Sequence, residues 1–170
     1  SYKPKEYWEN RAKSWADQAT SMSIETEEVK KMFEKIGAKS VLDVGCGDGR
    51  WYPHLKDWGI EKYVGCDISE NLIKAAQFRF PSIQNCFFAS KVEDLLDGDY
   101  DLVFSYTCLE HITEEDFPKA VEALKRSAKK ILLVEPEGFV SRYYCHNHAY
   151  RKHFNVIEEV KLKDKTIFLI

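Results

Sequence analysis

VLDVGCGDGR, residues 41–50, is the stretch that decides the fold of this chain. It is a short apolar run that contains one acid and passes into a loop with glycine at alternate positions. Glycine accepts a positive φ angle, and it lets a ligand approach main-chain atoms because no Cβ stands in the way. The stretch therefore predicts a strand that ends in a tight, ligand-binding bend.

Two features separate this bend from the glycine loop of dinucleotide-binding proteins. Arg50 stands where that loop has its third glycine, and Asp43 precedes Gly45 by two residues. A pyrophosphate would meet a carboxylate beside its binding turn, whereas a positively charged amino group would gain a charge-assisted hydrogen bond there. These residues argue against a nicotinamide oxidoreductase and favour a ligand that carries an amine.

A second acid ends the next predicted strand. Residues 63–67 read YVGCD, and Asp67 comes about 20 residues after the glycine bend, the spacing at which a carboxylate binds ribose hydroxyls. One strand thus offers an acceptor for an amine, and its neighbour offers an acceptor for a ribose.

The composition limits the class of protein. The chain has 170 residues, of which 44% are hydrophobic, and this suits a single globular domain. A net charge of −3 argues against a nucleic-acid partner, and no apolar run approaches the roughly 20 residues of a membrane span. The 5 cysteines form no C-x-x-C pair, which favours reduced thiols. We expect a soluble cytoplasmic protein, without a membrane partner, that is a monomer or a homodimer.

Strand-like and helix-like segments alternate along the chain. Apolar strand-like runs occupy 41–45, 61–66, 84–89, 100–105, 130–134, 155–160 and 165–170, and helical patterns occupy 51–58, 69–77 and 113–129. Such alternation predicts an α/β fold with a doubly wound, mostly parallel sheet and helices on both faces. Ligands of such sheets bind beyond the carboxyl ends of the strands, where the acids and glycines lie.

With these motifs in hand, the chain resembles the small class I S-adenosylmethionine-dependent methyltransferases. The resemblance rests on residues 43–49, 64–69, 100–112 and 130–136, which are similar to the glycine motif, the acidic end of the second strand, the fourth strand and the fifth strand. It implies S-adenosyl-L-methionine as cofactor and S-adenosyl-L-homocysteine as product. It also implies a Rossmann-like seven-stranded sheet with an antiparallel last strand, in one methyltransferase domain over 1–170. A helical lid over 1–35 would precede a core over 36–170.

The same resemblance assigns cofactor contacts to individual positions. It implies that the methionine moiety lies against Asp43, Gly45, Cys46, Gly47 and Gly49. It further implies that Asp67 binds both ribose hydroxyls, that Ile68 packs on the adenine, and that Ser105 and Tyr106 lie beside the methyl group. Lys91 stands where the family frequently has an aspartate, so adenine recognition would pass to backbone atoms near Val92.

Aromatic residues of the predicted lid have two interpretations. Tyr7, Trp8, Arg11 and Trp15 recur at helical spacing, and such a stripe either packs on the sheet or contacts the ligand. We include Tyr7 among the predicted cofactor contacts.

The methyl acceptor is predicted to bind near residues 141–153, which concentrate histidine, tyrosine and arginine. The leading hypothesis is a small molecule with an oxygen, nitrogen or sulfur nucleophile, with His146 or His148 as the general base. Cys145, His146 and His148 lack a recognised structural-zinc spacing, so no metal site is predicted. Glu110 and His111 are interpreted as the start of a surface helix in preference to a catalytic pair.

Two alternatives remain at this point. A tRNA or protein methyltransferase is suggested by Lys125, Arg126, Lys129 and Lys130, although this cluster also fits a solvated helix end. A non-catalytic subunit that binds S-adenosylmethionine is suggested by the small size of the chain.

Overall fold

The computed structural model describes residues 1–12, 23–138 and 144–170. Trp15 of the predicted lid and residues 141–143 of the predicted acceptor region lie outside the described residues. The strands are β1 Ser40–Val44, β2 Lys62–Asp67, β3 Phe87–Ala89, β4 Tyr100–Tyr106, β5 Ala128–Glu135, β6 Glu158–Lys161 and β7 Thr166–Leu169. The helices are α1 Pro4–Ala12, α2 Ser23–Ile36, α3 Tyr52–Asp57, α4 Glu70–Arg79, α5 Phe117–Ser127 and α6 Tyr150–His153.

The seven strands form one sheet in the order β3-β2-β1-β4-β5-β7-β6. The pairs among β1 to β5 are parallel, and β7 runs antiparallel to both β5 and β6. The chain order reverses between β1 and β4, so the ends of these two strands border a crevice at the carboxyl edge. The predicted Rossmann-like fold is therefore confirmed, including the antiparallel last strand.

Apolar clusters lie on both faces of the sheet. One cluster packs Phe33 of α2 and Trp51 against Phe104 of β4, and the other packs Val121 and Leu124 of α5 against the opposite face. Because both faces are covered, the central strands β1, β4 and β5 are buried at consecutive positions and not at alternate ones. This core makes the carboxyl edge a rigid base for the loops that follow the strands.

Three predicted segments need correction at their ends, and one of them is the strand predicted over 155–160, which runs over Glu158–Lys161. The helix predicted over 113–129 begins at Phe117, because Thr113 forms a turn in which its Oγ1 accepts the Asp116 N–H at 3.3 Å and Pro118 occupies the first helical turn. The helix ends at Ser127, and the next two residues already belong to β5. The strand predicted over 84–89 is shorter, since 81–86 form 3₁₀ turns.

The predicted lid over 1–35 contains two different helices. Val29, Met32 and Phe33 of α2 are buried in the core, whereas α1 has no buried residue. The two helices of the predicted lid therefore differ, since α2 belongs to the core and α1 lies on the surface. In the part of the chain that the structure describes, no helix combines the length and apolar character that a membrane span requires.

Candidate active site

A cavity of about 600 Å³ opens at the carboxyl edge of the sheet, beside the reversal in strand order. Its size lies within the range of small-molecule sites. It is bounded by the ends of β1, β2 and β4, by the 3₁₀ turns Val92–Asp94 and Leu109–His111, and by the start of α1. The loops that the sequence singled out thus converge on one site.

The glycine bend forms one wall of this cavity. Gly45 and Gly47 have φ angles of 76° and 57°, and the N–H groups of Gly45 and Cys46 both donate to the Cys66 carbonyl, at 2.8 and 2.9 Å. A Cβ on Gly45 would lie 2.6 Å from the Cys108 Sγ. The bend therefore requires glycine for its backbone conformation and for its close approach to the loop after β4.

Gly49 does not line the cavity but is required by the conformation of the bend. Its φ angle is 82°, and a Cβ there would lie 2.9 Å from the Phe80 ring. Its N–H donates to the Cys46 carbonyl at 2.9 Å, and the Cys46 side chain is itself buried. Gly49 and Cys46 therefore support the bend without lining the cavity.

Asp67 lines the cavity next to Ile68. Its two oxygens accept the Gly47 N–H and the Ser69 N–H, each at 2.9 Å. Burial raises the pKa of this carboxyl, and the two backbone hydrogen bonds act in the opposite direction. The carboxylate is fixed in orientation while its remaining lone pairs are available to a ligand.

Asp43 lies beneath the bend and does not line the cavity. Only 1% of it is exposed, and one of its oxygens accepts a hydrogen bond of 2.6 Å from the Tyr63 hydroxyl. Burial raises its pKa to about 7, although Tyr63 and Arg50 act to lower it. Of the two acids predicted to bind the cofactor, the structure brings only Asp67 to the cavity wall.

The loop after β3 closes another side of the cavity. Lys91, Val92 and Glu93 line it, and the Ser90 N–H donates to the Asp67 carbonyl at 2.9 Å. This loop is therefore adjacent to the predicted ribose acceptor, where the adenine is expected.

Ser105 and Tyr106, the predicted neighbours of the methyl group, differ in position. Ser105 is fully buried and donates to the Val44 carbonyl at 3.0 Å, whereas Tyr106 lines the cavity. The Tyr106 hydroxyl donates to Glu25 of α2, and the Arg50 guanidinium lies 5.0 Å from the ring centroid. Tyr106 thus ties α2 to the cavity wall.

The turn after β4 brings two further polar side chains to the cavity. Glu110 and His111 line it, and each side chain is only 13% exposed. The interpretation of these residues as the start of a surface helix is therefore wrong. Thr107, with a φ angle of 47°, reverses the chain so that the turn folds back over the sheet edge.

His111 is held by partners on both sides of its ring. Its Nε2 lies 3.1 Å from a Glu110 oxygen, and its Nδ1 lies 2.9 Å from the Tyr144 carbonyl. Burial alone would lower its pKa, but Cys145, Glu110 and the Tyr144 carbonyl together raise it to about 10. His111 is therefore an imidazolium at neutral pH, with both N–H groups donating.

Glu110, His111 and Cys145 each offer a metal-ligand atom within 4.8 Å of the others. The Cys145 Sγ lies 3.8 Å from Nδ1 of His111, and a Glu110 oxygen lies 3.1 Å from Nε2 of the same ring. Nδ1 also lies 2.9 Å from the Tyr144 carbonyl, so both ring nitrogens have hydrogen-bond partners without a metal ion.

His146 and His148 support the turn from behind and do not line the cavity. The His146 N–H donates to the Glu110 carbonyl at 2.7 Å. The His148 Nε2–H donates to the Leu109 and Ile112 carbonyls, each at 2.9 Å, and burial lowers the pKa of His148. The structure does not bring either predicted base to the ligand space.

Helix α1 covers the cavity with aromatic side chains. Trp8 lines the cavity with its ring 4.6 Å from that of His111. Tyr7 does not line the cavity; its ring stacks on Tyr144 at 4.7 Å and contacts the ring of Trp8 at 5.1 Å. Sequence reasoning missed Tyr2, which also lines the cavity. Its position depends on the tertiary placement of α1, and no local pattern marks it.

The basic cluster that suggested a nucleic-acid acceptor lies at the opposite edge of the sheet. Lys129 and Lys130 are at the amino end of β5. Arg126 pairs with Asp97 at 3.2 Å, and Lys129 pairs with Asp101 at 3.6 Å. These contacts agree with a solvated helix end.

A family model described as a methyltransferase domain matches residues 41–130, more than half of the chain. The chain belongs to this methyltransferase family. The resemblance to class I S-adenosylmethionine-dependent methyltransferases is thereby confirmed.

Two curated relatives of this methyltransferase domain have named activities. It is 27% identical over 125 residues to phosphoethanolamine N-methyltransferase 2 of Caenorhabditis elegans, a match that covers 66% of this chain and 28% of the relative. It is 33% identical over 100 residues to juvenile hormone acid O-methyltransferase of Bombyx mori, covering 55% and 36%. The matches span 28% to 53% of the length of four curated relatives.

Solved structures share the fold of the methyltransferase domain. Magnesium protoporphyrin IX methyltransferase from Synechocystis, crystallised with bound SAH, matches with a TM-score of 0.69 at 19% identity and covers 85% of this chain and 80% of that one. The PH0226 protein from Pyrococcus horikoshii matches with a TM-score of 0.72 at 19% identity, with coverage of 89% and 90%.

Proposed function

We propose that this domain transfers a methyl group from S-adenosylmethionine to an oxygen, nitrogen or sulfur nucleophile of a small molecule. The observation that carries the proposal is the cavity at the carboxyl edge, where Asp67 and the glycine bend meet in a chain of the methyltransferase family. S-adenosylhomocysteine (SAH), the product that methyl transfer would leave, is bound in the Synechocystis structure that shares the fold.

Asp67 is the residue that we assign to the ribose. Its oxygens are oriented by the Gly47 and Ser69 N–H groups, and a carboxylate held in this way accepts hydrogen bonds from vicinal hydroxyls without reorganising. The backbone of Gly45 and Gly47 would then face the methionine moiety, and the turn that contains Val92 would border the adenine.

Methyl transfer depends more on the alignment of the two bound reactants than on catalytic side chains of the protein. When bound, S-adenosylmethionine would supply its methyl group to a lone pair on the acceptor, and the electron pair of the broken carbon–sulfur bond would remain on its sulfur. Holding the two reactants in line can supply roughly 7 to 11 kcal/mol of the barrier. The lid formed by α1, with Trp8 on the cavity wall, supports this role because it closes the site over a small ligand.

A proton acceptor is needed when the nucleophile keeps a proton at neutral pH, and we assign this role to Glu110. Its carboxylate lines the cavity and is held by the His111 imidazolium. His146 and His148, the bases predicted from the sequence, are engaged behind the turn and do not reach the cavity wall. Glu110 would take the proton while His111 fixes its orientation.

A small-molecule acceptor is supported by two findings. The named relatives are a phosphoethanolamine N-methyltransferase and a juvenile hormone acid O-methyltransferase. The basic cluster that could attract RNA lies at the edge of the sheet opposite the cavity. Two of its residues, Arg126 and Lys129, form ion pairs there with aspartates. We therefore favour a small acceptor over tRNA or a protein.

Calorimetric titration with S-adenosylhomocysteine tests the cofactor assignment. We expect D67A to weaken binding by about 100-fold or more, because two hydrogen bonds to a charged group are worth roughly 3 kcal/mol or more together. Asp57→Asn, at an exposed acid outside the cavity, is the matched control and should leave affinity unchanged. Binding of NAD without binding of S-adenosylhomocysteine would overturn the proposal.

Methyl transfer is tested with labelled S-adenosylmethionine and a panel of amines, carboxylic acids, phenols, thiols and bulk tRNA. We expect turnover with one small-molecule class and, for E110Q, a decrease in kcat of about 100-fold or more at unchanged cofactor affinity. Cofactor binding without turnover on any acceptor would identify a non-catalytic subunit instead. Turnover confined to tRNA, with a steep salt dependence, would favour the RNA enzyme.

A further inference from the structure

Glu135, the last residue of β5, is a buried acid that the proposed chemistry does not use. It is fully buried, and its Oε1 accepts the N–H groups of Cys108 and Leu109 at 3.0 and 2.7 Å. Its Oε2 is buried without a hydrogen-bond partner among the described residues. Burial raises the pKa of this carboxyl to about 8, with a further contribution from Glu110.

A carboxyl group in this position is costly to the fold. Burying a polar group without full hydrogen bonding is unfavourable, and an apolar residue would fill the same space at the end of an apolar strand. The acid at this position is therefore best explained by what its bonded oxygen does.

That oxygen replaces a missing helix cap. The 3₁₀ turn Leu109–His111 begins after Cys108, whose side chain makes no capping hydrogen bond. The first N–H groups of a helical turn lack partners within the turn, and a side-chain oxygen commonly satisfies them from the preceding residue. Here Glu135 supplies the oxygen from a neighbouring strand.

A second contact from β5 fixes the entry to the same turn. The Thr107 N–H donates to the Val134 carbonyl at 2.8 Å, and Thr107 holds a φ of 47°, which is uncommon for a residue other than glycine. Consecutive residues of β5 thus hold residues 107–109. The two side chains that follow are Glu110 and His111 on the cavity wall.

We propose that Glu135 is a positioning residue for the acceptor side of the site. It holds the turn so that Glu110 and His111 keep their places in the cavity, and its loss impairs turnover without impairing cofactor binding. The cofactor contacts assigned above come from the ends of β1 and β2 and from the turn that contains Val92, whereas the hydrogen bonds of Glu135 go to Cys108 and Leu109. This inference rests on the proposed methyl transfer.

The test compares two substitutions whose side chains are similar in length to that of glutamate. Glu135→Gln keeps an oxygen that can accept both N–H groups, whereas Glu135→Met fills the space without an acceptor. We expect E135M to lower kcat by about 10-fold to 100-fold and to raise the acceptor KM, with affinity for S-adenosylhomocysteine within threefold of wild type. We expect E135Q to stay within threefold of wild type in all three. Leu133→Ala, a fully buried position on the same strand, controls for general destabilisation.

Hydrogen exchange of the Cys108 and Leu109 amides gives a readout independent of catalysis. These amides should exchange slowly in wild type and E135Q and faster in E135M, while L133A changes them no more than other core amides. Fast exchange in wild type overturns the proposal, even if E135M is too unstable to purify. Wild-type turnover in E135M, or an E135Q as impaired as E135M, overturns it as well.

The failure of this inference and the failure of the proposed function are distinguishable. A wild-type protein that binds no S-adenosylhomocysteine refutes the proposed function, while the amide comparison still reports whether Glu135 holds the turn. A protein that methylates its acceptor equally well with methionine at position 135 refutes only the positioning role.

Discussion

The cavity has two halves that are built differently. The half that we assign to the cofactor, at the ends of β1 and β2, is built from the glycine bend and the adjacent acid, which are joined by the hydrogen bond from the Gly47 N–H to the Asp67 carboxylate. The half that we assign to the acceptor joins side chains from distant parts of the chain, because Trp8 from α1 and Glu135 from β5 both contact the turn that carries His111. A ligand that is common to a whole family can be bound by one short sequence motif. An acceptor that differs between family members is bound by residues from separate segments, and the sequence of each segment can change without the others.

The comparison also separates two acids that look equivalent in the sequence. Asp43 and Asp67 lie near the ends of neighbouring strands, yet Asp67 lines the cavity and Asp43 is bonded to the Tyr63 hydroxyl beneath it. One acid is therefore available to the ligand and the other supports the bend.

The largest effect is expected where the two halves touch. Gly45→Ala places a Cβ against Cys108 at 2.6 Å in addition to the left-handed backbone, so we expect a loss of about 3 kcal/mol or more in the free energy of unfolding. Gly37→Ala is the matched control, because its φ is also positive and nothing lies within 4 Å; it should cost about 1 kcal/mol. Urea unfolding of both variants measures the difference in the free energy of unfolding. Equal losses would show that the Cys108 side chain moves aside at no energetic cost.

The lid offers a comparison between adjacent aromatic residues. Trp8→Leu removes a cavity wall and should raise the acceptor KM by about 10-fold, since a buried aromatic contact contributes roughly 0.5 to 1.5 kcal/mol beyond its area. Tyr7→Leu removes a ring that stacks on Tyr144 and that also contacts the rings of Tyr2 and Trp8 edge to face. Because Tyr7 itself does not line the cavity, we expect less than about a twofold change in cofactor affinity and KM. A large loss of cofactor affinity in Y7L would restore Tyr7 as a ligand contact.

The charge of His111 should appear in the pH dependence of stability. Its pKa is raised to about 10 in the folded chain, so its stabilising contribution is complete below about pH 6.5, the pKa of free histidine, and is lost as pH rises towards 10. The stability difference between wild type and H111Q should therefore shrink over this range, by at most about 1.4 kcal/mol per pH unit.

His54→Gln, in α3 and away from the cavity, is the control for that experiment. It should leave the pH profile of the wild type unchanged. Parallel profiles for wild type and H111Q would show that His111 is neutral in the folded chain.

The smallest effect is expected at Asp43. Asp43→Asn keeps an oxygen for the Tyr63 hydroxyl, so affinity for S-adenosylhomocysteine should stay within threefold of wild type. Stability above pH 7 should be equal or higher, because the folded chain no longer has to bury a carboxylate whose pKa is about 7. A 30-fold loss of affinity would instead make Asp43 a direct ligand contact, as the sequence predicted.

The outcome of sequence reasoning differed between the two halves for a physical reason. The strand positions and the cavity-lining residues Gly45, Gly47 and Asp67 were predictable, because apolar runs and glycine spacing are local signals. The bases were assigned to His146 and His148, because the segment after the fifth strand concentrates histidine, tyrosine and arginine at the end of the sheet where the substrate is expected. Their rings and backbone instead support the turn from behind.

By itself, the sequence determined the α/β class, the mostly parallel sheet, and the glycine bend with an acid on the adjacent strand. These follow from periodicity and from backbone requirements that only a few residue types can meet, whereas the antiparallel last strand was implied by the family resemblance. Only the tertiary structure decided which acid faces the ligand, that His111 is a paired cation, and that Glu135 caps a turn on another strand. Each of these depends on burial and on contacts with residues that are distant in the chain. Local sequence patterns indicate neither of them.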